Sequence, residues 1–210
     1  MSETPKSNNV AVTLLVVGLL AVVGYMLFVN YRTSAPTPVE PTEYAACETP
    51  VAPAGVEVVN LQLKLKTGDV KLELRPDLAP KHVERLTTLA KQGFYDGIVF
   101  HRVIDGFMAQ TGDPTGTGMG SSDLPDLPSE FTDTPYQCGT IGMARSQNPN
   151  SANSQFFITF QDARFLDGQY TVLGYVREGM EHIHQIKKGV GQNGIVKDPD
   201  QMISLKVLDQ

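Results

Sequence analysis

A cation, an amide and two apolar side chains stand close together in the segment 100–113. Arg102 lies among apolar neighbours, and because arginine is rarely buried without a partner, it either pairs with another group or lines a wet groove. Phe107 and Met108 offer a ring and a soft thioether that suit an adaptable apolar pocket. Gln110 can both donate and accept a hydrogen bond. The segment therefore predicts a small site for a ligand that is apolar at one end and carbonyl-like at the other.

Alternating apolar residues predict the strands that must position this site. Asp105-Gly106 supplies a tight turn, so the segment 100–113 reads as a β-hairpin. A second hairpin precedes it, because apolar and polar residues alternate over 61–65 and again over 70–74. Further strands are predicted at residues 140–144, 154–160, 170–176 and 202–208.

Two amphipathic helices separate these strands. The first begins at Pro80, where a missing N–H costs nothing, and the second covers residues 178–188. His82, His182 and His184 lie off the apolar stripes, so we expect all three to be exposed. Many short strands with two separated helices favour an antiparallel barrel capped by helices over a parallel βαβ sheet.

The composition excludes several classes of function. A formal net charge of -6 argues against nucleic acid as a partner, since phosphate binding needs a basic face. No histidine or cysteine stands at metal-ligand spacing, so no metal site is predicted. The glycine-rich segment 113–128 lacks the Gly-Lys-Ser/Thr ending of a phosphate-binding loop and is predicted to be a plain flexible loop. No serine or cysteine stands near a histidine in a hydrolase motif.

The N-terminal residues predict a membrane anchor. After a short polar tail at 1–9, residues 10–29 run without a charge. As a helix this run is about 30 Å long, which matches the hydrocarbon core of a bilayer, so it predicts one transmembrane helix acting as a signal anchor. A cleaved signal peptide is the alternative, although its apolar part is usually shorter. A long C-terminal domain behind one span is most simply translocated out of the cytoplasm.

A proline-rich linker at residues 30–55 follows the apolar run and favours extended polyproline II, a semi-rigid spacer. Cys47 lies in this linker, and it could pair with Cys138 if the compartment is oxidising. Nothing in their spacing supports that bridge, so two free thiols are the default prediction. The globular domain is predicted to cover residues 56–210.

The ordered, ungapped run Phe-His-Arg-Val-Ile-x-Gly-Phe-Met-x-Gln-x-Gly-Asp at 100–113 resembles the signature of the cyclophilins, the peptidyl-prolyl cis/trans isomerases. The resemblance covers roughly residues 61–208. It implies a mainly β fold, a closed eight-stranded antiparallel β-barrel capped by two α-helices, here preceded by one transmembrane helix. It also implies an enzyme that accelerates X-Pro bond rotation in folding proteins and needs no cofactor and no metal.

The resemblance also assigns roles to individual residues. Arg102 would be the catalytic residue, Gln110 would contact the substrate carbonyl, and Gln155 would help to position the arginine. Ala144 and Arg145 would border the groove. An apolar pocket for the proline ring would be formed by Phe107, Met108, Phe157, Phe165, Leu166 and Tyr170.

The sequence departs from the best-known eukaryotic cyclophilins in ways that resemble bacterial members. It contains no tryptophan, and Phe165 stands where those members carry one. Tyr170 replaces a histidine, Arg145 replaces an asparagine, and the loop 145–155 is one residue longer. Because that tryptophan matters more for cyclosporin than for isomerisation, the resemblance implies an active enzyme with weak affinity for the drug.

These observations predict a monomeric isomerase that acts on proline-containing polypeptides and is held to the membrane by residues 10–29. The predicted location is the bacterial inner membrane with the domain facing the periplasm, and secretion or periplasmic release after signal cleavage is the alternative. A non-catalytic module or chaperone that binds proline segments is the alternative function. Arg102 favours the enzyme, because a pure binder does not need the arginine.

Overall fold

The computed structural model describes residues 47–208. The predicted tail at 1–9, the predicted transmembrane helix at 10–29 and the first part of the predicted linker lie outside the described residues. Within the described range, no helix combines the length and the apolar character needed to cross a membrane.

One antiparallel sheet of eight strands forms the body of the domain. In chain order the elements are β1 (Val59–Leu65), β2 (Gly68–Leu74), α1 (Pro80–Lys91), β3 (Arg102–Ile104), β4 (Met108–Thr111), β5 (Thr140–Met143), β6 (Phe156–Thr159), a 3-10 helix (Arg164–Leu166), β7 (Val172–Glu178), α2 (Met180–His184) and β8 (Ser204–Val207). Across the sheet the order is β3-β4-β6-β5-β7-β2-β1-β8. The mainly β fold with two helices, predicted from the sequence, is confirmed.

The alternating pattern of the first hairpin buries one face of β1 and β2. Leu61 pairs with Leu72, and Leu63 pairs with Val70. All four side chains are fully buried in the core, because residues directly opposite each other project to the same face of a sheet. The second predicted hairpin is also present, with β3 and β4 joined through Gly106 at a φ of 66°.

The sequence predicts a closed barrel, and the structure shows a curled sheet whose edges are covered by loops. In the described residues β3 and β8 form no ladder with each other. Instead, the Gly97 N–H donates to the Met202 carbonyl at 2.8 Å, and the Phe100 N–H donates to the Asp200 carbonyl at 2.8 Å. These bonds join the segment before β3 to the segment before β8 and pair backbone groups of both.

The helices are present, but the second is shorter than the sequence predicts. Helix α2 ends at His184, whereas the apolar pattern extends to residue 188. The Lys187 N–H donates to the Asp200 carboxylate at 2.8 Å and not to the Ile183 carbonyl that would continue the helix. A side chain from another loop therefore takes an N–H group that a longer α2 would use, and local periodicity gives no sign of it.

His82 is fully buried, so the prediction that it is exposed was wrong. Its Nδ1 lies 2.7 Å from Glu130 Oε2, and the same carboxylate accepts hydrogen bonds from the Lys81 and His82 N–H groups at the start of α1. A carboxylate at this end of a helix is stabilising because the first N–H groups have no partner in the helix. Burial lowers the pKa of His82, although Glu130 opposes the shift. His182 and His184 are partly buried and not exposed as predicted.

Cys47 and Cys138 form a disulfide, so the prediction of two free thiols was wrong. Their Cα atoms lie 5.3 Å apart, although the two cysteines are 91 residues apart in the sequence. The sequence around each cysteine therefore gives no indication that the two would meet. Arg177 holds the same segment, because its Nη1 donates to Thr49 Oγ1 at 2.9 Å and its Nη2 donates to the Pro50 carbonyl at 2.7 Å. Residues 47–50, predicted to be part of the linker, are therefore packed on the domain.

Replacing both cysteines by serine should lower the free energy of unfolding by about 2–4 kcal/mol, because the disulfide closes a long loop in the unfolded chain. Denaturant unfolding without reductant measures this difference. Reductant should lower the stability of the wild type to that of the double variant and leave the variant unchanged. A double variant as stable as the oxidised wild type would contradict the prediction.

Candidate active site

The predicted site residues converge on one pocket. A cavity of about 220 Å³ is lined by Arg102, Phe107, Met108, Gln110, Ala144, Arg145, Phe157, Phe165, Leu166 and Tyr170. Gln155 lies beside it, in the wall of a groove of about 370 Å³. The groove and the pocket share Gln110, Ala144 and Arg145. Residues that the sequence places in four separate segments thus form one continuous surface.

Strand register brings the polar and apolar residues of the pocket together. In the β3–β4 hairpin Arg102 pairs with Gln110, and on the other side of β4 Gln110 pairs with Phe157 of β6. Residues opposite each other project to the same face of an antiparallel sheet, so these three side chains are neighbours. Met108 shares this face because it lies two residues before Gln110 in the same strand.

The apolar part of the pocket has a buried floor and an exposed rim. Met108, Phe157 and Leu166 are only 1%, 5% and 6% exposed. Phe165 is 65% exposed and leans against Phe107, with 5.2 Å between ring centroids. A fixed floor with an accessible rim suits the insertion of one compact apolar ring from outside.

The guanidinium of Arg102 is held by neutral oxygens. Its Nη1 donates to Gln110 Oε1 at 3.0 Å, and its Nε donates to the Asn193 carbonyl at 3.1 Å. None of the ion pairs among residues 47–208 includes Arg102. Burial lowers the pKa of Arg102, with a smaller opposing effect from Tyr170. Because an arginine stays protonated at neutral pH, the pocket contains a positive charge that no carboxylate balances.

A relay of side-chain amides supports Gln110. Its Nε2 donates to Gln155 Oε1 at 2.9 Å. The Nε2 of Gln155 in turn donates to the carbonyls of Gly118 and Gly120, at 3.1 and 2.9 Å. These bonds fix which end of each amide is the oxygen, so Gln110 must present its Oε1 to Arg102.

The loop that anchors this relay is built around Asp113. The carboxylate accepts hydrogen bonds from the Thr115 N–H at 2.7 Å, from Thr115 Oγ1 at 2.8 Å and from the Gly118 N–H at 2.6 Å. Burial raises the pKa of Asp113, but the hydrogen bonds from Thr115, Gly120 and Gly118 outweigh it, so the pKa lies below its usual value. The sequence predicts a plain flexible loop at 113–128, and the structure shows an ordered turn at its start.

Comparison with known proteins assigns this domain to one family. A family model described as "Cyclophilin type peptidyl-prolyl cis-trans isomerase/CLD" matches residues 59–207. This chain belongs to the cyclophilins. It is 57% identical over 157 residues to a "Probable peptidyl-prolyl cis-trans isomerase" of Brucella suis. The alignment covers 69% of this chain and 80% of the Brucella protein. It is also 40% identical over 129 residues to "Peptidyl-prolyl cis-trans isomerase ppi1" of Schizosaccharomyces pombe. That alignment covers 59% of this chain and 81% of the yeast protein.

Solved structures resemble this cyclophilin over the same domain. A Cryptosporidium parvum cyclophilin type peptidyl-prolyl cis-trans isomerase aligns with a TM-score of 0.67 and 26% sequence identity, covering 73% of this chain and 99% of the solved chain. A structure of that protein "in the presence of dipeptide ala-pro" aligns with a TM-score of 0.66 and 27% identity, over 72% of this chain and 99% of the solved one. Family, relatives and fold agree that this cyclophilin is a peptidyl-prolyl cis-trans isomerase.

Two residues that support the pocket of this cyclophilin were not identified as such from the sequence. Tyr136 is fully buried beneath the pocket, where its ring stacks on Phe157 at 5.9 Å and its hydroxyl donates to the Thr171 carbonyl at 3.1 Å. No local pattern indicates this role, because Tyr136 lies in an irregular segment. Asp113 had a detectable signal, since an aspartate two residues before a threonine commonly caps its own turn.

Arg145 is fixed on the rim of the pocket and does not point a free charge into it. Its Nε and Nη2 donate to the Gln169 carbonyl at 3.2 and 2.9 Å, and its guanidinium carbon lies 4.4 Å from the centroid of the Tyr170 ring. The two arginines of the pocket therefore differ, because Arg145 is committed to a backbone carbonyl and an aromatic face. Only Arg102 is supported by the amide relay.

Replacing Asp113 by asparagine should loosen the turn and remove part of the pH dependence of stability. A carboxylate whose folded pKa is depressed stabilises the folded state above its unfolded pKa of about 3.9, and this contribution is lost as the pH falls through the folded pKa. Unfolding free energies measured between neutral and acidic pH should therefore fall less steeply for Asp113→Asn than for the wild type.

At neutral pH the same substitution should lower kcat/KM by up to about tenfold, because the relay to Arg102 loses its anchor. The matched control is Asp123→Asn, an exposed carboxylate nearby in the chain, which should change neither property. Identical pH profiles for Asp113→Asn and the wild type would contradict the assignment.

Proposed function

We propose that the pocket holds the pyrrolidine ring of an X-Pro segment while the guanidinium of Arg102 stabilises the twisted peptide bond. The observation that carries the proposal is a positive charge without a counter-ion, fixed beside an apolar pocket. The cavity of about 220 Å³ suits one compact ring, and its floor of Met108 and Phe157 is too buried to rearrange easily.

The chemistry requires stabilisation of a rotated amide and no bond breaking. Resonance gives the C–N bond partial double-bond character, which creates a barrier of about 18–20 kcal/mol. As the bond twists, the prolyl nitrogen becomes pyramidal and gains the lone pair that resonance had withdrawn. A fixed N–H donor at this nitrogen binds the twisted state more tightly than the planar state, and this difference in binding accelerates the rotation.

Gln110 has the hydrogen-bonding capacity to hold the substrate as well as the arginine. Its Oε1 accepts from Arg102, and one hydrogen of its Nε2 is donated to Gln155. A primary amide nitrogen carries two hydrogens, so the second one can be donated to a substrate carbonyl. The same side chain would thus fix the substrate backbone relative to the guanidinium.

Replacing Arg102 by alanine should lower kcat/KM for an Ala-Pro peptide by about 100- to 1000-fold, the usual loss when one preorganised donor to a transition state is removed. Arg102→Lys should recover only part of the activity, because a lysine cannot reproduce the planar fork that Gln110 and Asn193 hold. Exchange spectroscopy on the peptide measures both rates.

Lys206→Ala is the matched control, because it removes an exposed cation paired with Asp96, away from the pocket. It should leave the rate unchanged. If Arg102→Ala keeps the full rate, the arginine mechanism is wrong. If the wild type binds the peptide without accelerating its exchange, the domain is the non-catalytic binder of proline segments.

We also propose that the isomerase domain is held at the bacterial inner membrane and faces the periplasm. The apolar run at 10–29 supports an anchor, and the disulfide between Cys47 and Cys138 supports an oxidising compartment, where such bonds persist. Proline-containing segments of proteins that fold outside the cytoplasm would be its substrates.

Cell fractionation tests this location. The full-length chain should remain in the membrane fraction after alkaline extraction, because a spanning helix is not released by charge or pH. Protease added to spheroplasts should digest the domain, and trapping of thiols should find both cysteines oxidised. A soluble chain lacking residues 10–29 would show instead that the segment is a cleaved signal.

A further inference from the structure

A loop that is distant from Arg102 in the sequence contacts its guanidinium. The segment 189–195 lies between α2 and β8, and its Asn193 carbonyl accepts the hydrogen bond from Arg102 Nε. Within the loop, the Val190 N–H donates to the Ile195 carbonyl at 3.1 Å, so the segment is a small hairpin. We call this segment the arginine loop.

The arginine loop is fastened to the strand that carries Arg102. The Val103 N–H donates to the Gly194 carbonyl at 2.7 Å, and the Gly189 N–H donates to the Val103 carbonyl at 2.9 Å. Both backbone groups of one residue in β3 are therefore bonded to the loop. Because these bonds involve the residue next to Arg102, the loop and the arginine keep a fixed relative position.

Two glycines allow this close approach. A Cβ on Gly194 would lie 2.4 Å from Ile104 Cγ1 and 2.8 Å from the Val103 carbonyl oxygen, and a Cβ on Gly189 would lie 2.0 Å from the Gly194 carbonyl oxygen. Real Cβ atoms do not tolerate such distances, so any other residue at either position must push the loop away from β3. Gly191 has nothing within 4 Å of its Cβ position.

The contacts at Nε and Nη1 fix the plane of the guanidinium. Gln110 Oε1 accepts from Nη1, and the Asn193 carbonyl accepts from Nε. Two N–H groups of one rigid, planar cation are therefore held by separate acceptors. Among the described residues none accepts a hydrogen bond from Nη2. The two neutral acceptors thus orient the cation and leave its remaining N–H groups for the substrate.

We propose that the arginine loop is a positioning element for isomerisation, which acts by fixing the guanidinium plane through the Asn193 carbonyl. The inference rests on the proposed role of Arg102 and adds a part of the chain that the pocket does not include. No residue of the loop lines the pocket. Displacing the loop should therefore lower kcat and leave KM for the peptide nearly unchanged.

Gly194→Ala and Gly191→Ala in the full-length chain form a matched pair. Both glycines have a similar positive φ, 65° and 68°, so alanine meets similar backbone strain at each, but only at position 194 does it collide with β3. We expect Gly194→Ala to lose about tenfold or more in kcat with a KM change below about twofold, and Gly191→Ala to keep the wild-type kcat.

A double-variant cycle separates positioning from general damage to the fold. Lysine has no Nε–H of the guanidinium type, so in an Arg102→Lys background Gly194→Ala should lower kcat by less than about twofold. An equal loss in both backgrounds would overturn the proposal. So would a Gly194→Ala variant that keeps the wild-type kcat, or one whose loss lies in KM.

A direct measurement on the wild type covers the case in which Gly194→Ala does not fold. The Arg102 Nε–H should exchange with water at least about tenfold more slowly than the same group in the urea-unfolded chain, because it is held by the Asn193 carbonyl. Exchange at the unfolded rate would show that the Asn193 contact is absent and would overturn the inference. The proposed function would still be tested separately by Arg102→Ala. Slow exchange together with full activity of Arg102→Ala would instead overturn the catalytic role and the inference that rests on it.

Discussion

In the mechanism that we propose, the active site depends on one guanidinium that is held in place without a neutralising charge. A carboxylate would bind Arg102 more strongly, but it would also neutralise the field that a twisted amide needs. The amide oxygen of Gln110 and the backbone oxygen of Asn193 orient the guanidinium and add little negative charge. Burial lowers the pKa of Arg102. Its two acceptors come from different parts of the chain, Gln110 from β4 and Asn193 from the arginine loop.

The apolar floor of the pocket is built by a similar convergence of distant segments. Phe157 of β6 lies on Tyr136 from an irregular segment, and Gly142 of β5 leaves them room, since a Cβ there would lie 2.4 Å from Phe157 and 2.6 Å from the Tyr136 hydroxyl oxygen. A floor packed this tightly changes shape only at a cost. The rim is less constrained than the floor, because Phe165 remains largely exposed.

The start of the described chain adds a constraint that is separate from catalysis. The disulfide between Cys47 and Cys138 and the hydrogen bonds from Arg177 make residues 47–50 a part of the folded domain. The linker predicted at 30–55 therefore overlaps the folded domain from Cys47 onward. Arg177 also pairs with Glu73 of β2, which ties the segment to the middle of the sheet.

The sequence by itself determined the features that are local. Alternation over β1 and β2, the Asp-Gly turn before β4 and the helical stripe of α1 each follow from the preferences of neighbouring residues, and the ungapped run at 100–113 indicated the family and therefore the pocket. Only the tertiary structure decided the remainder. The pairing of buried His82 with Glu130, the bond from Lys187 to Asp200, the disulfide and the contact of Asn193 with Arg102 all join residues that lie apart in the chain. These residues become neighbours only when the chain folds, and the local pattern around each of them contains no information about its partner.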